Sequence, residues 1–137
     1  MTLAARADGL STRRHAVDPA MDVMAQCDEF SQAAIRACLT RKADESSKAL
    51  AAAEKKFAAA LQQWDEEPKY ITQSLARLQA SRKAFHTYRK AHCGFVSSLG
   101  GGAILNALEL RRLSCEFALN TERTRYLQSL ERRFVAR

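Results

Sequence analysis

The amino-acid sequence predicts an all-α protein, an antiparallel three-helix bundle that has a short N-terminal turn and is cross-linked by two disulfides. Three observations predict this class. Apolar residues recur at steps of three and four over long stretches, alanine is abundant while aromatic residues make up only 7%, and helix breakers are rare. The 137 residues include only two prolines and five glycines, so the chain has few places to turn and its helices must be long.

The N-terminal residues differ from the rest of the chain. Residues 1–21 are polar and basic without a helical period, so we expect a flexible arm or a remnant of an expression vector. Residues 22–137 form one predicted domain, which begins with a short turn capped by Asp22. The sequence has no apolar run that could span a bilayer, and residues 1–20 lack the apolar segment of a signal peptide. The protein is either cytoplasmic or has lost a leader, and we expect the second.

The first long helix is predicted from Ser31 to Asp65. Nine apolar or small residues keep one helical phase within about 80 degrees of arc, which is typical of a helix with one buried face. At 1.5 Å per residue the helix is about 50 Å long. The nine residues are Ile35, Leu39, Ala43, Ser46, Leu50, Ala53, Phe57, Leu61 and Trp64.

The second long helix is predicted from Lys69 to His92, after the break that Pro68 introduces. Arg82 and Arg89 lie within about 50 degrees of its apolar stripe, so each guanidinium needs an acceptor close to the core. The stripe consists of Ile71, Leu75, Leu78, Phe85 and Tyr88.

The third long helix is predicted from Ala103 to Phe134, after a loop from Phe95 to Gly102 that ends in three consecutive glycines. The second helix descends to Cys93 and the third rises past Cys115, so a bond between these two cysteines would cross-link the hairpin. In the chain-entropy model, such a bond contributes about 3 kcal/mol. The predicted inward face of the third helix contains Ile104, Leu108, Cys115, Leu119, Tyr126 and Leu130.

The four cysteines allow three disulfide pairings, and the sequence alone does not select one. No C-x-x-C spacing is present, so a zinc site or a thioredoxin-like site has little support, and four free thiols in a cytosolic bundle are the alternative. We expect Cys27 to pair with Cys38 and Cys93 with Cys115. The first pair requires a bend at residues 28–31, because the two cysteines would be about 16 Å apart on a continuous helix.

The sequence offers weak candidates for chemistry. Consecutive glycines can wrap a phosphate, but no strand and no G-x-G-x-x-G spacing accompanies them, so a turn between helices is the better interpretation. His92 and Cys93 would form a nucleophilic pair only if the thiol were free. We therefore expect no catalytic residue, no metal site and no cofactor.

The net charge of +7 is unevenly distributed. Residues 22–68 hold six basic and nine acidic residues, whereas residues 69–93 hold six basic residues and no acidic one. The segment 22–68, which includes the first helix, is therefore acidic as a whole and the second helix is basic, so part of the charge is balanced between neighbours. Lys83 and Lys90 on the outer face of the second helix would bind polyanions weakly, but we interpret this face as solvated.

The order of residues from Phe85 to Leu127 resembles the LprI-type lysozyme-inhibitor domain of bacterial envelope proteins. The shared pattern is F-x-x-Y-R-x-x-x-C, a glycine-rich loop, and then C-x-x-x-L-[NT]-[NT]-x-R-x-x-x-L. Cys27, Cys38 and the helix that ends at Trp64 extend the resemblance upstream, so that it covers residues 27–130. Besides the cysteines, the matching residues are Phe85, Tyr88, Arg89, Leu119, Arg123 and Leu127.

The resemblance implies a periplasmic or secreted protein that blocks the cleft of a lysozyme, a peptidoglycan hydrolase. It also favours disulfides over free thiols. Arg89 and Arg123 lie beside the apolar stripes, which indicates a structural role, with Glu122 as an acceptor for one of them. The candidate partner-binding residues are Phe95, Leu99, Gly100, Gly101 and Gly102 in the loop, together with Lys83 and Lys90.

The charge of +7 also raises two alternative functions. Animal-type lysozymes are strongly basic, so the two proteins would repel each other unless an acidic patch, such as the first helix, forms the contact. One alternative is an immunity protein against a less basic cell-wall hydrolase that competing bacteria deliver. The other is a structural envelope protein that inhibits nothing and binds polyanions.

Overall fold

The computed structural model describes residues 18–28 and 31–137, which form four α-helices. Helix α1 spans Pro19–Gln26, α2 spans Gln32–Gln62, α3 spans Pro68–Ser98 and α4 spans Leu105–Val135. The described residues contain no β-strand. The all-α prediction is therefore confirmed, with one short N-terminal helix followed by three helices of 31 residues each.

Helix α1 occupies the place of the predicted N-terminal turn but begins earlier. Asp18 is its N-cap, because a carboxylate oxygen accepts a hydrogen bond from the backbone N–H of Ala20 at 3.0 Å. Asp22, which we predicted to be the cap, lies in the first turn instead. Helix α1 thus includes residues 19–21, the end of the predicted arm, while residues 1–17 of that arm lie outside the described residues.

Helix α2 carries the predicted apolar stripe on its buried face. Seven of the nine predicted positions are buried, and Ile35 and Trp64 at the two ends of the stripe are half-buried. Ser31 caps the helix, since its hydroxyl oxygen accepts a backbone hydrogen bond at 3.0 Å. The helix ends at Gln62, three residues before the predicted Asp65, and the residues that follow form the turn to α3.

Both predicted disulfides are present. Cys27, just after α1, is bonded to Cys38 in α2, and Cys93 in α3 is bonded to Cys115 in α4. The helical structure is interrupted between α1 and α2, where the Cys27–Cys38 bond requires a bend. Residues 29 and 30 of that predicted bend lie outside the described residues. All four cysteines are described and none is free, which rules out a nucleophilic thiol at Cys93.

Helix α4 is the central element of the bundle. It packs along α2 and also contacts α3 and α1. Asn106 donates to Gln32 and Asn120 donates to Ser46, and both hydrogen bonds join residues 74 positions apart, so α4 runs parallel to α2. Helix α3 runs antiparallel to both, so consecutive long helices are antiparallel, as predicted.

The core consists of two apolar clusters with polar side chains between them. Ser46 and Asn120 are buried between the clusters, and a hydrogen-bonded polar pair of this kind favours one helix register over others. The first cluster contains Val23, Cys27, Cys38, Leu39, Ala43, Leu110 and Leu113. The second contains Leu50, Ala53, Phe57, Leu61 and Leu127.

Helix α3 differs from the prediction in length and in burial. It continues to Ser98, six residues beyond the predicted His92, because Gly94 inside a helix costs only about 1 kcal/mol and the disulfide at Cys93 holds this segment against α4. Cys93 is the only buried residue of α3, all of which the structure describes. Tyr88, which we predicted to lie in the apolar stripe, is 53% exposed.

Helix α4 begins at Leu105 and has a buried face that the sequence did not predict. Of the predicted face, Cys115 is buried and bonded to α3, whereas Ile104 precedes the helix and is exposed, as is Tyr126. The face toward α2 includes polar positions among its leucines, so its apolar period is weak. Its buried residues include Leu110, Leu113, Asn120, Thr124 and Leu127.

Candidate functional site

Exposed apolar side chains are concentrated where α3 turns into α4. Phe95 is 58% exposed, Leu99 62%, Ile104 72% and Leu105 84%. We refer to these four residues and the glycine turn 100–102 as the tip. Single exposed apolar residues are common on protein surfaces, whereas several in one region of the fold identify a candidate interaction site.

The geometry of the glycine turn favours glycine at two of its three positions. Gly101 has a φ of +59°, which lies in the left-handed region that favours glycine. A Cβ at Gly100 would lie 2.5 Å from Cδ2 of Leu108 and 3.3 Å from the backbone oxygen of Ser97. A Cβ at Gly102 would meet nothing within 4 Å. Glycine is therefore favoured at Gly100 by a close neighbour and at Gly101 by the positive φ, whereas Gly102 has neither restriction.

The tip stands on a cross-linked base. The Cys93–Cys115 disulfide joins α3 to α4 just below it, and the hydroxyl of Ser97 donates to the backbone oxygen of Leu108 at 2.9 Å. Both links hold the end of α3 against the start of α4. A surface held in its binding conformation loses less entropy on association than a flexible one.

The tip carries no formal charge. Residues 91–108 contain no Asp, Glu, Lys or Arg, although the chain as a whole has a net charge of +7. Helix α1 lies at the same end of the bundle, because Val23 and Cys27 pack in one cluster with Leu110 and Leu113. Residues 18–28 hold three exposed acidic residues and no basic one, namely Asp18, Asp22 and Asp28. No residue of the tip is charged, although the side chain of Arg111 lies beside Gly100, and the acidic segment 18–28 lies at the same end of the bundle.

A short row of stacked rings leads from the tip down α3. The rings of Tyr88 and His92 are stacked with centroids 5.2 Å apart, and the His92 ring lies 6.3 Å from that of Phe95. Lys83 and Lys90 are exposed on the same helix, which agrees with the solvated outer face that we predicted for them. The predicted binding residues therefore divide into an apolar group at the tip and two separate lysines.

Arg89 connects three helices through its guanidinium. Its Nη1 donates to Oδ1 of Asn120 at 2.7 Å, and Asn120 in turn donates to the hydroxyl of Ser46 at 3.1 Å. Its Nη2 lies 2.8 Å from Nδ1 of His86. Burial and the neighbouring charge of Arg89 lower the pKa of His86, so its neutral form accepts this hydrogen bond. The contacts fit a structural role for Arg89.

Arg123 stacks on the half-buried ring of Phe85, with its guanidinium carbon 5.0 Å from the ring centroid. Its Nη2 donates to the hydroxyl of Ser81 at 2.9 Å. The acceptors of the two arginines are thus Asn120 and Ser81, rather than Glu122, which is exposed. Of the other family-pattern residues, Leu119 is half-buried and Leu127 belongs to the second core cluster.

Two further arginines, Arg82 and Arg112, form ion pairs. Arg82, for which we predicted an acceptor, lies 3.3 Å from the buried carboxylate of Glu54. Arg112 donates to both Glu109 and Glu116, and its hydrogen bonds lower the pKa of Glu109 while they raise that of Arg112. These groups hold neighbouring turns and helices together.

The sequence predicted part of the tip and missed the rest. Phe95, Leu99 and the glycines were predicted as an exposed loop, although Phe95 lies on α3 rather than in the loop. Ile104 was assigned to the core, and Leu105 was not singled out. The absence of charge from residues 91–108 is the sequence signal that marks the whole surface.

Comparisons with known proteins place the chain beside one described family. The family model for "Lysozyme inhibitor LprI" matches residues 24–127, well over half of the chain. The matched range includes all four cysteines and both arginines of the pattern. A search of the curated proteins and a search of the solved structures found no match. None of the helices in the described part of the chain has both the length and the apolar character needed to cross a membrane.

Proposed function

The chain belongs to the lysozyme inhibitor LprI family, and on that premise we propose that it inserts its tip into the substrate cleft of a lysozyme-type peptidoglycan hydrolase. The observation that carries this proposal is the exposed, uncharged tip on its disulfide-linked base. A cleft that binds a polysaccharide is concave, so a convex apolar projection is the complementary shape. Occupation of the cleft excludes the substrate without any chemistry on the part of the inhibitor.

The distribution of charge supports a basic target despite the net charge of +7. No charged residue lies between residues 91 and 108, and the basic side chain that reaches Gly100 of the tip is that of Arg111. Exposed charges interact weakly beyond about 8 Å at physiological ionic strength, so an uncharged contact reduces the repulsion. The three acidic residues of segment 18–28, in and beside α1, would attract a basic rim around the cleft.

We place the protein outside the cytoplasm, in the periplasm or as a secreted protein. Family membership and the two disulfides support this location, because disulfides persist in oxidising compartments. Peptidoglycan hydrolases act in the same compartments, so inhibitor and target would meet there.

The experiment that tests the proposal is a titration of lysozyme with the purified, oxidised protein. Lysis of a peptidoglycan suspension by an animal-type lysozyme is expected to fall as the protein is added and to stop near a one-to-one ratio. Lysozyme that keeps full activity at a large excess of the protein removes this function. A parallel titration of less basic bacterial cell-wall hydrolases tests the immunity-protein alternative, which predicts inhibition of such an enzyme alone.

Exposed Lys83 and Lys90 on the basic helix α3 favour a second candidate, a structural envelope protein that binds polyanions. The two candidates differ in their dependence on salt. Polyanion binding should disappear as salt is added, because it depends on the release of counterions. Binding through an uncharged tip should largely persist.

A further inference from the structure

A second surface feature lies at the end of the bundle opposite the tip. It is a groove of about 580 Å³ between α3 and the α2–α4 pair. Its apolar lining consists of Phe57, Leu61, Trp64, Leu78, Leu130 and Phe134. This size lies within the range of small-molecule sites, about 300–1,000 Å³.

The groove follows from the way α3 is attached. Near the tip the disulfide ties Cys93 to Cys115, but at its other end α3 contributes half-buried residues, among them Leu75 and Leu78, to the second core cluster. The ring of Phe134 packs against those of Phe57 and Trp64, with centroids 5.8 and 5.3 Å apart. These rings form an apolar wall that α3 covers incompletely.

Three exposed arginines stand around this apolar wall. Arg77, Arg133 and Arg137 line the groove, and none of the described residues that line it is acidic. The ion pairs of the described chain involve other basic residues, namely Lys69, Arg82 and Arg112. The guanidinium groups of Arg77 and Arg133 are therefore available to an anion, and guanidinium is the side chain best suited to a carboxylate.

We propose that this groove binds a long-chain fatty acid, with the alkyl chain along the aromatic wall and the carboxylate between Arg77 and Arg133. A single alkyl chain fits a groove of this volume, and burial of its methylene groups against the aromatic wall favours binding. The positive rim selects an anionic head group over a neutral or cationic one. This site is separate from the tip and does not depend on inhibition of a hydrolase.

The chain carries a built-in probe for the test, since Trp64 is its only tryptophan and lines the groove. The oxidised protein is titrated with myristate below its micelle concentration, and binding is followed by Trp64 fluorescence and by calorimetry. One myristate per chain should bind, and myristyl alcohol, which has the same chain without the charge, should bind at least about tenfold more weakly.

Variants identify the groove as the site. Arg77→Gln combined with Arg133→Gln should weaken myristate binding at least about tenfold, while Arg125→Gln, an exposed arginine of α4 outside the groove, should leave it unchanged. Ser74→Phe, which fills the groove from α3, should abolish binding. Circular dichroism and the melting temperature establish that each variant is folded.

Several results would overturn the proposal. One is that myristate added to the wild-type protein produces neither heat nor a fluorescence change. The others are that the double arginine variant binds myristate as tightly as the wild-type protein does, or that the wild-type protein binds myristyl alcohol as tightly as myristate. Binding of lysophosphatidic acid but not of myristate would refute the assignment of a carboxylate. A dimer that dissociates on Ser74→Phe and excludes myristate would assign the groove to a second copy of the chain.

Discussion

Arg89 joins α3 to both of the other long helices with one side chain. Its guanidinium donates to Asn120 of α4, which donates to Ser46 of α2, and it also contacts His86 one turn away. Asn120 is only 1% exposed, so loss of its partner would leave a buried amide oxygen without a hydrogen bond. Such a group costs about 1–3 kcal/mol.

Arg89→Ala is therefore expected to destabilise the fold by about 1–3 kcal/mol. Urea denaturation, followed by circular dichroism, measures the free energy of unfolding. Arg125→Ala removes an exposed arginine of α4 and should change it by less than about 0.5 kcal/mol. If Arg89→Ala kept wild-type stability but lost partner binding, Arg89 would belong to the binding surface instead.

The three glycines of the tip allow a matched set of substitutions. Gly101→Ala should cost about 1–2 kcal/mol, because its φ of +59° is strained for alanine. Gly100→Ala should also destabilise, since its Cβ would clash with Leu108, whereas Gly102→Ala has open space and serves as the control. Melting temperatures of the three variants provide the measurement. Equal melting temperatures would show that the turn is not built as described.

At the scale of helices, sequence reasoning worked where one side of a helix is buried. Helix α2 packs on α4 along one face, so its stripe from Leu39 to Leu61 was readable from apolar spacing. Helix α4 contacts all three other helices, and its face toward α2 includes Asn120 and Thr124. Because these buried polar residues interrupt the apolar spacing, the sequence pattern does not identify this side of α4 as the one that faces the core.

The end of α3 and the composition of the tip show a second limit. The second long helix was predicted to end at His92, but it continues through Gly94, because the nearby disulfide outweighs the small cost of one glycine within a helix. Ile104 was placed in the core because it matches the phase of Cys115, yet the chain leaves helical geometry before Leu105. Spacing alone does not report where a helix begins.

The two disulfides are expected to have different effects on function. Cys93→Ser with Cys115→Ser, and Cys27→Ser with Cys38→Ser, should each lower stability by about 3 kcal/mol in the chain-entropy model. The first pair lies below the tip, so its loss should also weaken binding of the target, whereas the second pair is the control and should not.

Thermal melts and binding titrations of both double variants at a temperature where each is folded give the comparison. Equal weakening of target binding by the two double variants would show that the disulfide below the tip has no special part in positioning it.

Charged residues are absent from the tip but present around the other apolar surface, the groove at the opposite end of the bundle. Helix α3 holds six basic residues and no acidic one, and α2 holds six basic and three acidic residues, so α2 is not an acidic patch. Residues 91–108 carry no charged residue. The net charge of +7 was the reason to consider targets other than a basic lysozyme. Because the tip itself contains no charged residue, a basic lysozyme can approach this surface.

The inhibition constant of tip variants tests the central claim most directly. Leu99→Asp and Leu105→Asp place a charge in the tip and should weaken inhibition of lysozyme about thirtyfold or more, which corresponds to about 2 kcal/mol. Tyr126→Asp changes another exposed apolar residue, about 31 Å further along α4 than Leu105, and should leave the inhibition constant unchanged. Folded tip variants that inhibit lysozyme as strongly as the wild-type protein would contradict the claim that the tip occupies the cleft.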